Sequence, residues 1–511
     1  MSSPPAAPEQ RPPKRPKASP FEPGPELKPE SLTKFTLKLP HAFSPGALNC
    51  SKVAWGSSTA SGTRTIYIAS AQHTYAVSLG LGSAEGSAGP SVVQGKEGVL
   101  VPVNAEPLLV RREEPLCDMD AEVQCLSSGT HGGHQVLAAV DSVGNARLLA
   151  TQLQGAGSGG AADGEGAPGR YLMRLDAPSR GECGWTGLAV RPLGPEAIET
   201  SGDPSAAASS SGLPPLELAV ARQRMRDVRV YGSGELVRTI HTLQGPTSLT
   251  FLPPGTYGGC GDASAGLLAI AEEHQVALWD IRQGERGGCV QRLGVGSGGF
   301  PIYSMAWVTA VATATAASSG LGTGAGSSVG LLAVTGAERS VVVLEPRKWQ
   351  VIAKWPGAVK YPATHMAASR VAPGFMYAAG LDYELAAGRW DGSSGGSAGN
   401  SNSSSGGHGR AVGPAAFVAA RNEQRRMGAE GGGGGAGEAL PAADDMLDGS
   451  SRAGLSFRGD SKWLGLALTS LPASGAAGGA GDKELVAALS LSGGLFVLQA
   501  AASGKGGETC N

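Results

Sequence analysis

From Lys34 to Leu39 the chain reads Lys-Phe-Thr-Leu-Lys-Leu. Apolar side chains at every second position predict a strand with one buried face. One pattern then recurs. A short apolar strand carrying a Trp or Phe is followed by a denser strand rich in Leu, Ala and Val, a tight polar turn, and a further alternating strand. The strongest copies are PTSLTFLPP with GLLAIAEEHQVALWDIR (246 to 282) and PIYSMAWV with GLLAVTGAERSVVVLEPRKWQVIAKW (301 to 355). In both, Gly-Leu-Leu-Ala opens the second strand, at Gly266 and Gly330, and a charged turn follows. Weaker copies cover 50 to 79, 122 to 153, 184 to 240, 375 to 392 and 456 to 500, giving seven units.

A small antiparallel sheet cannot bury both of its faces alone. Stacking such sheets radially lets each cover its neighbours and leaves few open edges. The pattern therefore predicts an all-β fold, a β-propeller of seven four-stranded blades. The last unit stops after its third strand, and an isolated strand precedes the first. The N-terminal strand is thus expected to pair into the last blade and lock the ring. Trp463 to Leu468 is either the first or the second strand of that blade.

Composition changes this picture in one respect. The chain has 511 residues and 80 glycines, and much of the glycine sits in Gly/Ala/Ser tracts. These tracts bury too little apolar area to offset backbone entropy. Low-complexity insertions are expected at about 155–169, 194–213, 309–329 and 393–450, in a propeller spanning 34–501. Residues 1–33, rich in proline, read as a disordered tail, and 502–511 as a second. Flexible insertions are cheap because loop-closure entropy grows only with the logarithm of length.

At Leu278-Trp279-Asp280-Ile281-Arg282 the sequence resembles WD-repeat proteins, whose repeats end on a Trp-Asp dipeptide. Phe457-Arg458-Gly459-Asp460-Ser461-Lys462-Trp463-Leu464 is similar to that family's first-to-second strand turn. The resemblance implies that the Trp packs between strands and the Asp hydrogen-bonds turn backbone. The Gly-His pair that usually opens a repeat is absent. Within this stretch, Glu273, Val276, Trp279, Asp280 and Arg282 also resemble the box of WD-repeat substrate receptors of cullin–RING ubiquitin ligases. That resemblance implies an Arg282 directed at an adaptor protein.

Catalytic and metal-binding patterns are not evident. Seven dispersed cysteines without a CxxC pair argue against a disulfide framework or a zinc site and read as core thiols. His131 and His134 lack an acidic partner in sequence. Matches to GxGxxG follow from glycine content, without the strand and helix that a phosphate cradle needs. No catalytic residue, cofactor or metal is expected. A net charge of −2 supplies no global field for nucleic acid, so direct nucleic-acid binding is not expected. Nor is a membrane span, for want of about 18 consecutive apolar residues.

Two basic clusters remain. Arg222, Arg224 and Arg226 alternate, so on a strand they would share one face, either contacting an acidic partner or guarding an edge with charge. Lys14, Arg15 and Lys17, among prolines, read as a nuclear import signal taken by importin, or as a solubilising tail. The expectation is a non-catalytic scaffold for protein–protein interactions, in the nucleus or in both nucleus and cytoplasm. The alternative is a cullin–RING substrate receptor.

Overall fold

The computed structural model describes residues 25–503, apart from 59–62, 81–92, 95–98, 110–113, 132–133, 152–169, 180, 193–215, 254–265, 285–286, 296–298, 311–328, 347, 391–452 and 472–482. The described residues form strands and turns and no helix. Seven antiparallel sheets stand in a ring, a seven-bladed β-propeller.

Numbered along the chain, and from the axis outwards, the blades are as follows. Blade 1 holds Val53–Ser58, Thr63–Ser70, His73–Gly80 and Cys117–Asp118. Blade 2 holds Val123–His131, His134–Asp141, Ala146–Thr151 and Arg170–Leu175. In blade 3 come Thr186–Pro192, Leu216–Arg222, Asp227–Gly232 and Glu235–His241. Blade 4 is built from Pro246–Phe251, Leu267–Glu272, Gln275–Asp280 and Cys289–Gly294. Ile302–Ala310, Val329–Gly336, Val341–Glu345 and Gln350–Trp355 make blade 5. Blade 6 holds Ala363–Ala368, Phe375–Gly380, Glu384–Arg389 and Ala453–Arg458. Blade 7 joins Trp463–Leu471, Lys483–Ser490 and Gly494–Ser503 to the N-terminal strand Glu26–Lys38.

Burial explains the composition of each strand. The second and third strands lie between neighbouring blades and are covered on both faces. Leu267–Glu272 is buried throughout, hence its unbroken Leu-Leu-Ala-Ile-Ala run. The fourth strand faces solvent, and Cys289–Gly294 has no fully buried residue. The core is accordingly divided into seven clusters, one for each pair of adjacent blades.

The N-terminal strand closes the ring as expected, pairing antiparallel with Gly494–Ser503 in a register that runs from Glu26↔Ser503 to Thr36↔Gly494. It is longer than the sequence pattern indicates. It starts at Glu26 rather than Lys34, with a bulge between Pro29 and Ser31 that breaks the alternation. Glu30, read as part of the tail, pairs with Lys483 at 2.9 Å. Trp463–Leu471 is the innermost strand of blade 7, and the preceding Phe457 belongs to the outer strand of blade 6. Asp460 in the turn between them pairs with Lys34 of the closing strand at 2.9 Å. The expected tails and four insertions lie wholly or largely outside the described residues.

One feature is unexpected. Between the third and fourth strands of blade 1, the chain leaves that blade and runs along the rim of blades 7 and 6. Val99–Val101 pairs parallel with the outer strand of blade 6, and Val103–Asn104 and Leu108–Leu109 pair parallel with the closing strand of blade 7. Leu100 is the peg of this strap. It is buried in the cluster between blades 6 and 7.

Candidate docking face

Because neighbouring strands alternate in direction, all turns between second and third strands fall at one end of the ring. The links from each fourth strand to the next blade fall at that end too. These connections are short, and their backbones bond across blades. Ile302 N donates to Glu273 O (2.6 Å), Ala337 N to Pro301 O (2.9 Å), Ala358 N to Arg339 O (2.8 Å) and Gly459 N to Tyr383 O (2.7 Å). We call this end the compact face. The opposite face receives the remaining connections, including those containing 193–215, 311–328 and 391–452.

The axis is closed at the compact face by the chain itself. Residues 44–51, entering from the closing strand, reach six of the seven blades. Lys462 of blade 7 donates to Pro45 O (3.2 Å), and Ala47 N donates to Gln124 of blade 2 (2.8 Å). Trp185 Nε1 of blade 3 donates to Asn49 O (3.0 Å), and Asn49 Nδ2 donates to Thr247 O of blade 4. From blade 6, His365 Nε2 donates to Cys50 O (2.6 Å). Ser51 N donates to Gln124 O before the segment enters blade 1. A segment touching blade 7 on one side and blades 3 and 4 on the other must cross the channel.

His365 shows how tightly this plug is held. A carbonyl can only accept, so Nε2 carries the proton, and Nδ1 accepts from the Thr364 hydroxyl at 2.8 Å. Burial pushes its pKa down to about 4, with the Lys462 charge adding to the effect, so the ring is neutral near pH 7. Lys52, fully buried at the foot of the plug, is paired with Glu122 at 2.6 Å and donates to Ser44 O.

Around the closed axis the compact face exposes large apolar side chains. Met225, Leu243, Phe300, Tyr361 and Tyr383 follow one another from blade 3 to blade 6, and Leu243 and Phe300 are 62% and 51% exposed. Lys360 lies 5.5 Å over the Tyr361 ring. Between blades 4 and 5 the face is indented by a notch whose lining includes Val295, Phe300, Ile302, Glu338 and Ser340. Burial, with the Glu273 carboxylate beside it, pushes the nearby Tyr303 phenol above its ordinary range.

The residues singled out in sequence fall in three places. Glu273 is on the compact face, in the blade 4 turn, with a left-handed backbone (φ +52°). Val276 and Trp279 are buried, on opposite sides of the blade. Trp279 packs between blades 3 and 4, with the Arg238 and Arg292 guanidinium groups each 5.8 Å from its ring. Asp280 accepts from the Arg282 backbone N at 3.1 Å, the turn bond expected of it. It also accepts two bonds from the Arg282 guanidinium, at 2.9 and 3.0 Å. These bonds hold the Asp280 carboxyl below the usual carboxylate range. Arg282 is half-exposed on the loop-bearing face. Val276, Trp279 and Arg282 therefore do not form one surface with Glu273.

The three arginines do not share a strand face. The second strand of blade 3 ends at Arg222, and Arg224 and Arg226 lie in the turn that follows. Alternation in sequence carried no face information across that turn. Arg222 is buried in a two-point pair with Asp227, whereas Arg224 and Arg226 are exposed. Lys14, Arg15 and Lys17 lie outside the described residues. Among the described residues, five cysteines are free, and Cys50, Cys117 and Cys183 are buried. Among the described residues, no three His, Cys, Asp or Glu side chains gather as metal ligands. The plug and the apolar arc were not found from sequence. PHAFSPGALN carries no strand period and CSK reads as the start of the first unit, and the arc's members are single residues in separate turns.

No family model matches the chain, and no curated protein does. Among solved structures it is similar to the crystal structure of Saccharomyces cerevisiae Sqt1, at 11% identity and a TM-score of 0.44, over 93% of this chain and 100% of that one. The seven-bladed ring stands on the strand pairing itself.

Proposed function

We propose that this chain is a divergent WD-repeat propeller that acts as a non-catalytic platform for protein partners, which it docks on its compact face. The observation that carries this reading is the pairing of a channel closed by the chain's own residues 44–51 with an arc of exposed Leu, Phe and Tyr side chains around it. Large exposed apolar and aromatic residues on a rigid base are what protein interfaces use as anchors. The plug leaves no central opening at this face for a small substrate. Changing Leu243, Tyr361 and Tyr383 together to Asp tests it. Proteins that co-purify with the wild type should be lost at an unchanged melting temperature. An unaltered partner set would reject the compact face as the docking site.

The ligase-receptor alternative rests on the half-exposed Arg282 of the loop-bearing face. It requires a cullin adaptor that co-purifies with the wild type and not with Arg282→Ala. A nuclear location rests on Lys14, Arg15 and Lys17, and a fluorescent fusion in which all three are Ala should shift to the cytoplasm.

A further inference from the structure

We infer that the outer edge of blade 1 is a strand-acceptor site. It takes one extended segment of a partner protein, apolar at every second position, in the place of a fourth strand that blade 1 largely lacks. This surface lies on the rim, apart from the compact face, and does not depend on it.

In blades 2 to 6 the outer strand is six or seven residues long. In blade 1 it is Cys117–Asp118, paired only with Thr74 and His73. Two features cut it short. Pro115 has no N–H to give a ladder, and the chain from 99 to 109 is laid along blades 6 and 7. The third strand, His73–Gly80, therefore runs on past its partner. Gln72 O accepts from Met119 N (2.9 Å) and Thr74 O from Leu116 N (2.7 Å). Backbone groups alternate along a strand, so the even-numbered residues face outwards and the odd-numbered ones face the second strand. Ala76, Ser78 and Gly80 thus present N–H and C=O groups that have no partner among the described residues. A Cβ at Gly80 would meet no atom within 4 Å.

Those groups identify the occupant. Donors and acceptors alternating at strand spacing are matched by another extended backbone. Open edges are commonly guarded by charge or proline. The outer strands of blades 2, 4 and 5 carry Arg174, Arg292 and Lys354, whereas Tyr75 to Gly80 holds neither a charge nor a proline. Neighbouring strands lie about 4.8 Å apart, so this edge sits one strand further in than that of blade 2. On its other side stands blade 7 with the strap added. A second copy, recessed in the same way, cannot bring its own edge to it, whereas a single segment fits. Residues 81–92, which follow Gly80, read LGSAEGSAGPSV and are poor in strand-forming residues. Side chains set the alternation. An incoming residue opposite Ala76 continues the row of Cys117, at the joint of blades 1 and 2. Tyr171 of blade 2, 52% exposed, stands beside Cys117 there. An apolar side chain at that position covers its ring.

The test uses the full chain. In hydrogen exchange, the amides of Ala76, Ser78 and Gly80 should exchange fast and those of Val77 and Leu79 slowly. Slow exchange at all five would show that the chain already covers its own edge, and would overturn the inference. A phage-displayed library of random peptides is then selected on the wild type and depleted on Ser78→Pro. Proline there removes only an outward N–H and leaves the pairing with Thr63–Ser70 in place. Enriched peptides should carry Val, Ile, Leu, Phe or Tyr at alternate positions. The enriched peptide, synthesised with a fluorophore, should slow the three fast amides and bind Ser78→Pro at least about tenfold more weakly than wild type. Tyr171→Lys, on the neighbouring blade, should also weaken binding, which keeps the test decisive if Ser78→Pro does not fold. The Leu243/Tyr361/Tyr383 variant of the compact face should bind as the wild type does. No enrichment, undiminished binding by Ser78→Pro and Tyr171→Lys, or loss of binding in the compact-face variant would overturn the inference. So would self-association of the wild type that Ser78→Pro abolishes, since the occupant would then be a second copy.

Discussion

The two faces of this propeller differ in what their connections must do. On the compact face, each turn hands hydrogen bonds to the next blade, so its backbone is part of the blade–blade joint. On the opposite face some connections also hold a neighbouring blade, as where Arg238 of blade 3 donates to the blade 4 connection and Glu484 of blade 7 accepts from Ser369 and Arg370 N of blade 6, yet 193–215, 311–328 and 391–452 all attach there. Entropy alone would tolerate insertions at either end, since each doubling of loop length costs only about 0.6 kcal/mol. The long insertions named above all occupy one end, and the other end, where short turns bond across the blades, offers a fixed surface for partners.

The most severe way to break this comparison is to move an insertion. A Gly/Ser segment placed between Glu273 and His274 should cost about 3–6 kcal/mol. It would loosen the bonds from Ile302 N and Val295 N, and with them the burial of both side chains. Deleting 395–445 should instead leave stability unchanged or raise it by about 1.5 kcal/mol or less. Chemical denaturation of both variants decides the matter, and equal destabilisation would show the two faces to be equivalent.

Next in size is Trp279→Ala, expected to cost about 3–5 kcal/mol by opening a cavity between blades 3 and 4. Arg282→Ala, three residues on, should cost less than about 1 kcal/mol, because a half-exposed pair contributes little. Comparable losses from the two would mean that the loop-bearing face is as tightly joined as the compact one.

The plug should give the compact face a pH dependence. The His365 pKa lies near 4 in the folded chain, against about 6.5 unfolded. Between those values the unfolded chain binds the extra proton, so stability falls as pH drops from about 6.5 to 4, by up to about 3 kcal/mol. Urea midpoints measured from pH 7 to 4.5 should slope less steeply in His365→Gln. Identical slopes would show that the imidazole does not control the joint.

The smallest effect concerns strain. Ala71, Arg226, Glu273 and Arg339 hold left-handed backbone in the turns of four blades, with φ between 50° and 61°. Arg226→Gly removes that penalty at an exposed site and should stabilise by about 0.5–1 kcal/mol. A loss on thermal melting would mean that the arginine side chain supports the turn.

What the sequence made legible follows burial. Second and third strands, covered on both faces, leave unbroken apolar runs such as Leu267–Glu272, and these revealed the blade count. Outer strands have little to bury and left little trace. Arg170–Leu175 was missed, and Phe457 was placed with the wrong blade. The strap was invisible because its pairs are two or three residues long and its partners lie far along the chain. On the site, Trp279 and Asp280 were read correctly as packing and turn residues, since their roles are local. Glu273 and Ile302 meet only once two blades are side by side, and no spacing along one strand encodes that.

The closing strand also sets a timetable. Glu30 bonds to Gln499, 469 positions later. At about 5–20 residues per second, a ribosome needs roughly 25–90 s to supply that partner. Until then, Leu32 and Leu37, buried in the finished ring, have nothing to cover them. The plug cannot settle before blades 6 and 7 exist, and the strap leaving blade 1 waits for the same two blades. The closing strand, made long before its partner, is thus among the last parts to be assembled, and this long exposed interval is when the protein is most open to misassembly and most in need of protection.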